Sequence, residues 1–184
     1  MGRGTLEGFP TGLLYDAMTS PTSPTTDDLI AQATALARRL VERKETIAVS
    51  ESSTGGLISA SLLAVPGASA YFLGGGVVYT QAARRGILKL PDEAMRGIRS
   101  STEAYALLKA RTIRDLLGST WGLAETGASG PTGNRYGDAA GHTCLAIVGP
   151  VERATTLETG HGNRALNMRV FTRAALELLS AALR

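Results

Sequence analysis

The sequence predicts an α/β protein: a three-layer α/β/α sandwich around a mixed β-sheet. Short apolar, β-branched runs alternate with amphipathic helical segments, and two of those runs lead into glycine-rich loops. Towards the C-terminal end, "HTCLAIVG" and "RATTLETG" follow each other with no helix between, so an antiparallel pair joins an otherwise helix-linked sheet.

Residues 1–24 are rich in Gly, Pro, Ser and Thr around a small apolar patch, "GLLYDAM", and read as an N-terminal extension. The domain is expected over residues 25–184, a length that fits one buried core. Its first helix begins at the cap-like Thr-Thr-Asp-Asp cluster and repeats apolar residues at Leu29, Ile30, Ala33, Leu36, Ala37 and Leu40. "TIAVS" is a strand, and "GGLISASLLAV" is helical until Pro66 and Gly67 stop it. "AYFLGGGVVYT" reads as a glycine-interrupted strand ending near Thr80, followed by a short helical turn, "QAARRGIL". Ser101 or Thr102 then caps a helix whose expected apolar face is Ala104, Leu107, Leu108 and Ile113. "WGLAET" is a strand, and after the antiparallel pair a last helix runs from about Arg164 to Leu183.

Composition bounds the function. The chain is 43% hydrophobic and 19% charged, values of a soluble globular protein, with no apolar run of the roughly 18 residues a membrane span needs. The start of the chain lacks the pattern of a secretory signal and Cys144 is the single cysteine, so a cytoplasmic protein is expected. The pairs Arg38-Arg39 and Arg84-Arg85 lie in no longer basic run and aromatics are few, which argues against nucleic acid as partner. Glu51, Glu125 and Asp138 lack a tight ligand spacing, so no metal and no cofactor are expected; homo-oligomerisation stays open.

Two loops concentrate the chemistry. In "SESSTGGL", Ser52 follows a strand and precedes a helix, where a turn can expose a nucleophile while the amides of Ser53, Thr54, Gly55 and Gly56 cradle an oxyanion or a phosphate. The same residues serve equally well as a helix cap and turn, with Glu51 bracing the loop by hydrogen bonds. The second loop, "TGASGPTGNRYGD", brings Thr126, Gly127, Ser129 and Gly130 to the same end of the sheet, and Asn134, Arg135 and Tyr136 lengthen it. Neither loop has the glycine spacing of a Walker or dinucleotide motif.

The order "SESSTGGLISASLL", "GGGVVYT", "SGPTG" and "TGHGNR" over residues 27–183 resembles the C-terminal domain of the CinA competence/damage-inducible family, which includes nicotinamide-nucleotide amidohydrolase. The resemblance implies a three-layer sandwich with a mixed sheet. It also implies hydrolysis of nicotinamide mononucleotide to nicotinate mononucleotide and ammonia, with a phosphorylated small molecule as substrate. On the family's motifs, Ser52 stands at the serine nucleophile, Ser53 at the adjacent cysteine and Tyr79 at the tyrosine of the second motif. Thr126, Gly127, Gly130 and Pro131 match the third motif, and Arg164 the arginine of the fourth. Where the family has a catalytic lysine, "YTQAAR" places Arg84.

A desolvated lysine can give up its proton and act as a base, whereas a guanidinium stays charged and binds phosphate or carboxylate bidentately. Three repairs are open: a lysine from elsewhere, Lys89 being nearest along the chain; a histidine, His142 or His161; or loss of the hydrolytic step.

Overall fold

The computed structural model describes residues 23–184; of the N-terminal extension, all but Ser23 and Pro24 lies outside the described residues. Helix α1 spans Thr26–Glu42, and its start is fixed by a capping box in which Thr25 and Asp28 satisfy each other's backbone N–H. It buries Leu29, Ala33, Leu36, Ala37 and Leu40, leaving Ile30 at the margin of the predicted face. Strand β1 (Ile47–Glu51), helix α2 (Leu57–Leu63), strand β2 (Phe72–Val77) and helix α3 (Gln81–Gly86) follow. Then come helix α4 (Glu103–Leu117), strands β3 (Trp121–Ala128), β4 (His142–Val148) and β5 (Glu152–Glu158), and helix α5 (Arg164–Ala182). Strand β2 stops at Val77, earlier than expected, because the Thr80 hydroxyl accepts from the Ala83 amide and starts α3.

The five strands stand in the order β2-β1-β3-β4-β5, parallel through β2, β1 and β3 and antiparallel through β3, β4 and β5. This is the mixed sheet that the consecutive C-terminal strands predict. Side chains of alternating parity enter different layers. Ile47, Val49, Trp121 and Leu123 join the core under α1, α2 and α5, while Ala48 and Ala124 pack on the α4 side.

Helix α4 corrects the expected face. It buries Tyr105, Ala106, Lys109, Ala110 and Ile113, whereas Ala104 is exposed and Leu107 and Leu108 are half-buried. The cause is close approach: a Cβ on Gly122 of β3 would lie 2.0 Å from the Ala110 carbonyl oxygen. Helix and strand meet backbone to backbone, so alanines face inward and the larger leucines turn aside. Its cap is Thr102, whose hydroxyl accepts from the Tyr105 amide.

Candidate functional site

In an open sheet of this order the chain leaves β1 towards β2 on one side and reaches β3 on the other, and the crevice opens outside the carboxyl ends of β1 and β3. A crevice of about 560 Å³ lies there. Ser52 and Thr126, the residues that follow Glu51 and Glu125, line it with Gly127, Tyr79, Thr80 and Arg84. The N-terminal end of α4 adds Ser100, Ser101 and Tyr105, and the second loop adds Asn134, Arg135 and Tyr136.

Behind it are two fully buried carboxylates. The Glu51 carboxylate accepts from the amides of Gly56, Ile58 and Ser59 at 2.8 to 3.1 Å, and from the hydroxyls of Thr54 and Ser59. That of Glu125 accepts from the amides of Ser52 at 2.9 Å and Thr54 at 3.0 Å, and from the hydroxyls of Ser53 and Thr143, while the one Thr54 hydroxyl proton is shared between it and Glu51. These bonds correct the expected cradle. The amides of Thr54 and Gly56 point at the protein's own glutamates, and Ser53 and Thr54 are buried beneath the crevice rather than in it. Gly55 and Gly56, at φ 67° and 101°, make the turn that lets the chain fold back over Glu51. An internal carboxylate thus occupies the anion position at the start of α2.

Ser52 keeps its place at the crevice, with its amide held by Glu125. Tyr79 is exposed at the rim, where its hydroxyl accepts from Arg164 Nη2 at 3.3 Å; Arg164 Nη1 donates to the Gly130 carbonyl at 2.7 Å. Arg164 and Gly130 therefore brace the rim. Gly130 is held at φ 108°, and a Cβ there would meet the Gly162 carbonyl at 2.6 Å. Arg84 is buried against the crevice, ion-paired to Asp92 through Nη2, while its Nε is buried with no hydrogen-bond partner among the described residues.

Neither histidine takes the place of the missing lysine. His142 Nδ1 faces the Glu158 carboxylate and Nε2 faces the Ser101 carbonyl at 3.0 Å, so both nitrogens must donate and no lone pair is left to accept a proton. The Cys144 sulfur, the Glu158 carboxylate and the Ser101 carbonyl push its pKa up to about 10, against the effect of burial. His161 is not among the crevice-lining residues. Lys89 lines a different, shallow depression with Arg85, Pro91 and Asp92.

The raised pKa has a testable consequence. Because the folded value lies above the ordinary 6.5, His142 contributes stability that is complete below about pH 6.5 and is lost as pH rises through about 10. The difference in urea midpoint between wild type and His142→Gln is expected to shrink steadily over that range. A constant difference would mean an uncharged His142.

Lys109 is the functional-site residue that loop and motif reasoning misses. It is fully buried on α4, and its Nζ donates to the carbonyls of Glu51 at 3.3 Å and Glu125 at 2.7 Å. Burial pulls its pKa down to about 8, against the pull of the Glu125 and Glu51 charges. The sequence does carry a signal, since Lys109 occupies a core position in the series Ala106, Lys109, Ala110, Ile113.

The model of the CinA C-terminal domain family matches residues 30–183. The chain belongs to the CinA C-terminal domain family. A CinA-like protein of Desulfosudis oleivorans is 37% identical over 147 residues, covering 77% of this chain and 35% of that protein. One from Gloeobacter violaceus is 38% identical over 149 residues, covering 80% of this chain and again 35% of the relative. This chain thus spans about a third of the length of the curated CinA-like proteins it matches. Among solved structures, the competence damage-inducible protein A of Klebsiella pneumoniae superposes with a TM-score of 0.77 at 27% identity, covering 86% of this chain and 97% of that one. A CinA superfamily protein from Enterobacter cloacae gives 0.77 at 25% identity, covering 96% and 100%. The CinA domain here has no helix, among the described residues, long and apolar enough to cross a membrane.

Proposed function

We propose that this CinA-family domain binds a phosphorylated small molecule, of the nicotinamide mononucleotide type, in the crevice between Ser52, Arg84 and Thr126. The observation that carries the reading is the lining. Arg84 and Arg135 face the crevice with hydroxyls from Ser52, Tyr79, Ser101, Tyr105 and Thr126, and no carboxylate lines it among the described residues. Arg84 lines the crevice, and its buried Nε has no acceptor among the described residues; a phosphate or carboxylate oxygen is an acceptor that suits a guanidinium.

Hydrolysis is the second reading, supported by the Ser52 hydroxyl at the crevice beside Tyr79. In that reaction Ser52 attacks the carboxamide carbon, ammonia leaves, and water releases the acid from the acyl-enzyme. The step needs a base for the Ser52 proton, and Arg84 stands at the position where the family has lysine. Lys109, bonded to the Glu51 and Glu125 carbonyls, is not among the crevice-lining residues, so the lining favours a binder.

Calorimetric titration with nicotinamide mononucleotide, alongside an ammonia-release assay, separates the two. Wild type and Ser52→Ala are expected to bind alike and to release no ammonia, while Arg84→Ala weakens binding by about tenfold or more, the loss of a charged hydrogen bond. Ammonia release that disappears in Ser52→Ala would replace the binder with the hydrolase. Absence of binding by the wild type would end both readings for this ligand.

A further inference from the structure

The parallel ladder between β1 and β3 runs from Ile47↔Trp121 to Ser50↔Ala124 and stops there. The next residues pair outward, Glu51 with Val77 of β2 and Glu125 with Leu145 of β4. Lys109 sits in the fork, and its Nζ bonds to both carbonyls continue the connection where the backbone ladder ends.

We infer that Lys109 is the positioning residue of the crevice: its ammonium group ties the main chain of Glu51 to that of Glu125 and so fixes where Ser52 and Thr126 stand. Three features separate this from ordinary packing. The group is fully buried, which is costly for an ammonium. Its acceptors are main-chain carbonyls immediately ahead of two crevice-lining residues. By strand parity the side chains of Glu51 and Glu125 share the face of Ile47, Val49, Trp121 and Leu123, so Lys109 approaches from the opposite side of the sheet. A carbon chain of the same length would fill the space and leave the fork untied.

The titratable groups around Lys109 are Glu51 on β1, Glu125 on β3 and Tyr105 on its own helix, whose ring centroid lies 5.7 Å from Nζ. Cys144 of β4 packs with Ala106 and Ala110 on the same face, His142 lies beside Cys144, and Arg84 of α3 acts on Tyr105. With burial dominating, Lys109 changes charge near pH 8 rather than 10.5.

The test follows the amide signals of Ser52 and Thr126 by nuclear magnetic resonance in the full chain as pH rises through that value. Both are expected to titrate with one midpoint near 8 in the wild type. The titration is expected to vanish in Lys109→Met and in Lys109→Arg, the latter holding its charge throughout. Should Lys109→Met fail to fold, Lys109→Arg alone decides. Ser52 and Thr126 signals that keep their wild-type positions in Lys109→Met, or that titrate unchanged in Lys109→Arg, would overturn the inference. A second arm rests on the proposed ligand: affinity for nicotinamide mononucleotide is expected to drop about tenfold in Lys109→Met, as when a charged hydrogen-bond donor is lost. If the wild type does not bind it, the ligand reading fails while the amide titration still judges Lys109.

Discussion

Glu125→Ala is expected to destabilise the domain by on the order of 3–5 kcal/mol, a large fraction of the stability of an ordinary domain. The carboxylate accepts from the amides of Ser52 and Thr54 and the hydroxyls of Ser53 and Thr143, and shares the Thr54 hydroxyl proton with Glu51. Alanine leaves the Ser52 and Thr54 amides and the Ser53 hydroxyl without this acceptor, while the Thr54 and Thr143 hydroxyls keep Glu51 and the Thr126 carbonyl, and each unsatisfied buried donor costs about 1–3 kcal/mol before the structure relaxes. It also removes a negative charge that favours the buried Lys109 ammonium. Urea unfolding monitored by circular dichroism measures the loss. Glu125→Gln keeps the shape but turns an NH₂ towards some of the same donors, so it is expected to fall between wild type and Glu125→Ala. A loss below about 1 kcal/mol in Glu125→Ala would mean that the loop carries itself, since that is the worth of one ordinary hydrogen bond.

Gly122→Val is expected to do comparable harm by a different route. Its Cβ would stand 2.0 Å from the Ala110 carbonyl oxygen and 2.9 Å from Arg114 Cβ, so either β3 or α4 must move. Overpacking against a backbone atom has no flexible side chain to absorb it, and a cost of about 3 kcal/mol or more is expected. Because α4 brings Tyr105 to the crevice and Lys109 to the carbonyls of Glu51 and Glu125 beneath it, ligand affinity is expected to fall with stability. Gly86→Ala, where a Cβ would meet nothing within 4 Å, is the control and is expected to leave the urea midpoint nearly unchanged. Equal midpoints for Gly122→Val and wild type would show that the helix does not bear on the strand as described.

The fold was legible because its signals are local and periodic. Thr25 with Asp28, and Thr102, announce helix starts, and β4, buried from His142 to Val148, carries a continuous apolar run from Cys144 to Val148. The site was legible in its loops, and Ser52, Tyr79, Arg84, Thr126 and Gly127 do meet at one crevice. What stayed hidden depends on direction and distance. Glu51 shares strand parity with Ile47 and Val49, and Glu125 with Trp121 and Leu123, so both carboxylates face the interior core and take up the amides expected to greet a ligand. Lys109 lies 58 residues from one carbonyl it binds and 16 from the other. No local pattern carries that pairing. Alanine, small enough to bury yet weakly hydrophobic, likewise gave the inward face of α4 less weight than its leucines.

The sheet also sorts charge. Glu51 and Glu125, the acidic residues nearest the crevice along the chain, are withdrawn into the opposite layer, while Arg84 and Arg135 stay with the opening. An approaching anion therefore meets the guanidinium groups of Arg84, shared with Asp92, and of Arg135, with no carboxylate among the described lining residues. For the proposed phosphorylated ligand, association is expected to be quickest at low ionic strength and to slow once the screening length contracts to about 8 Å at physiological salt.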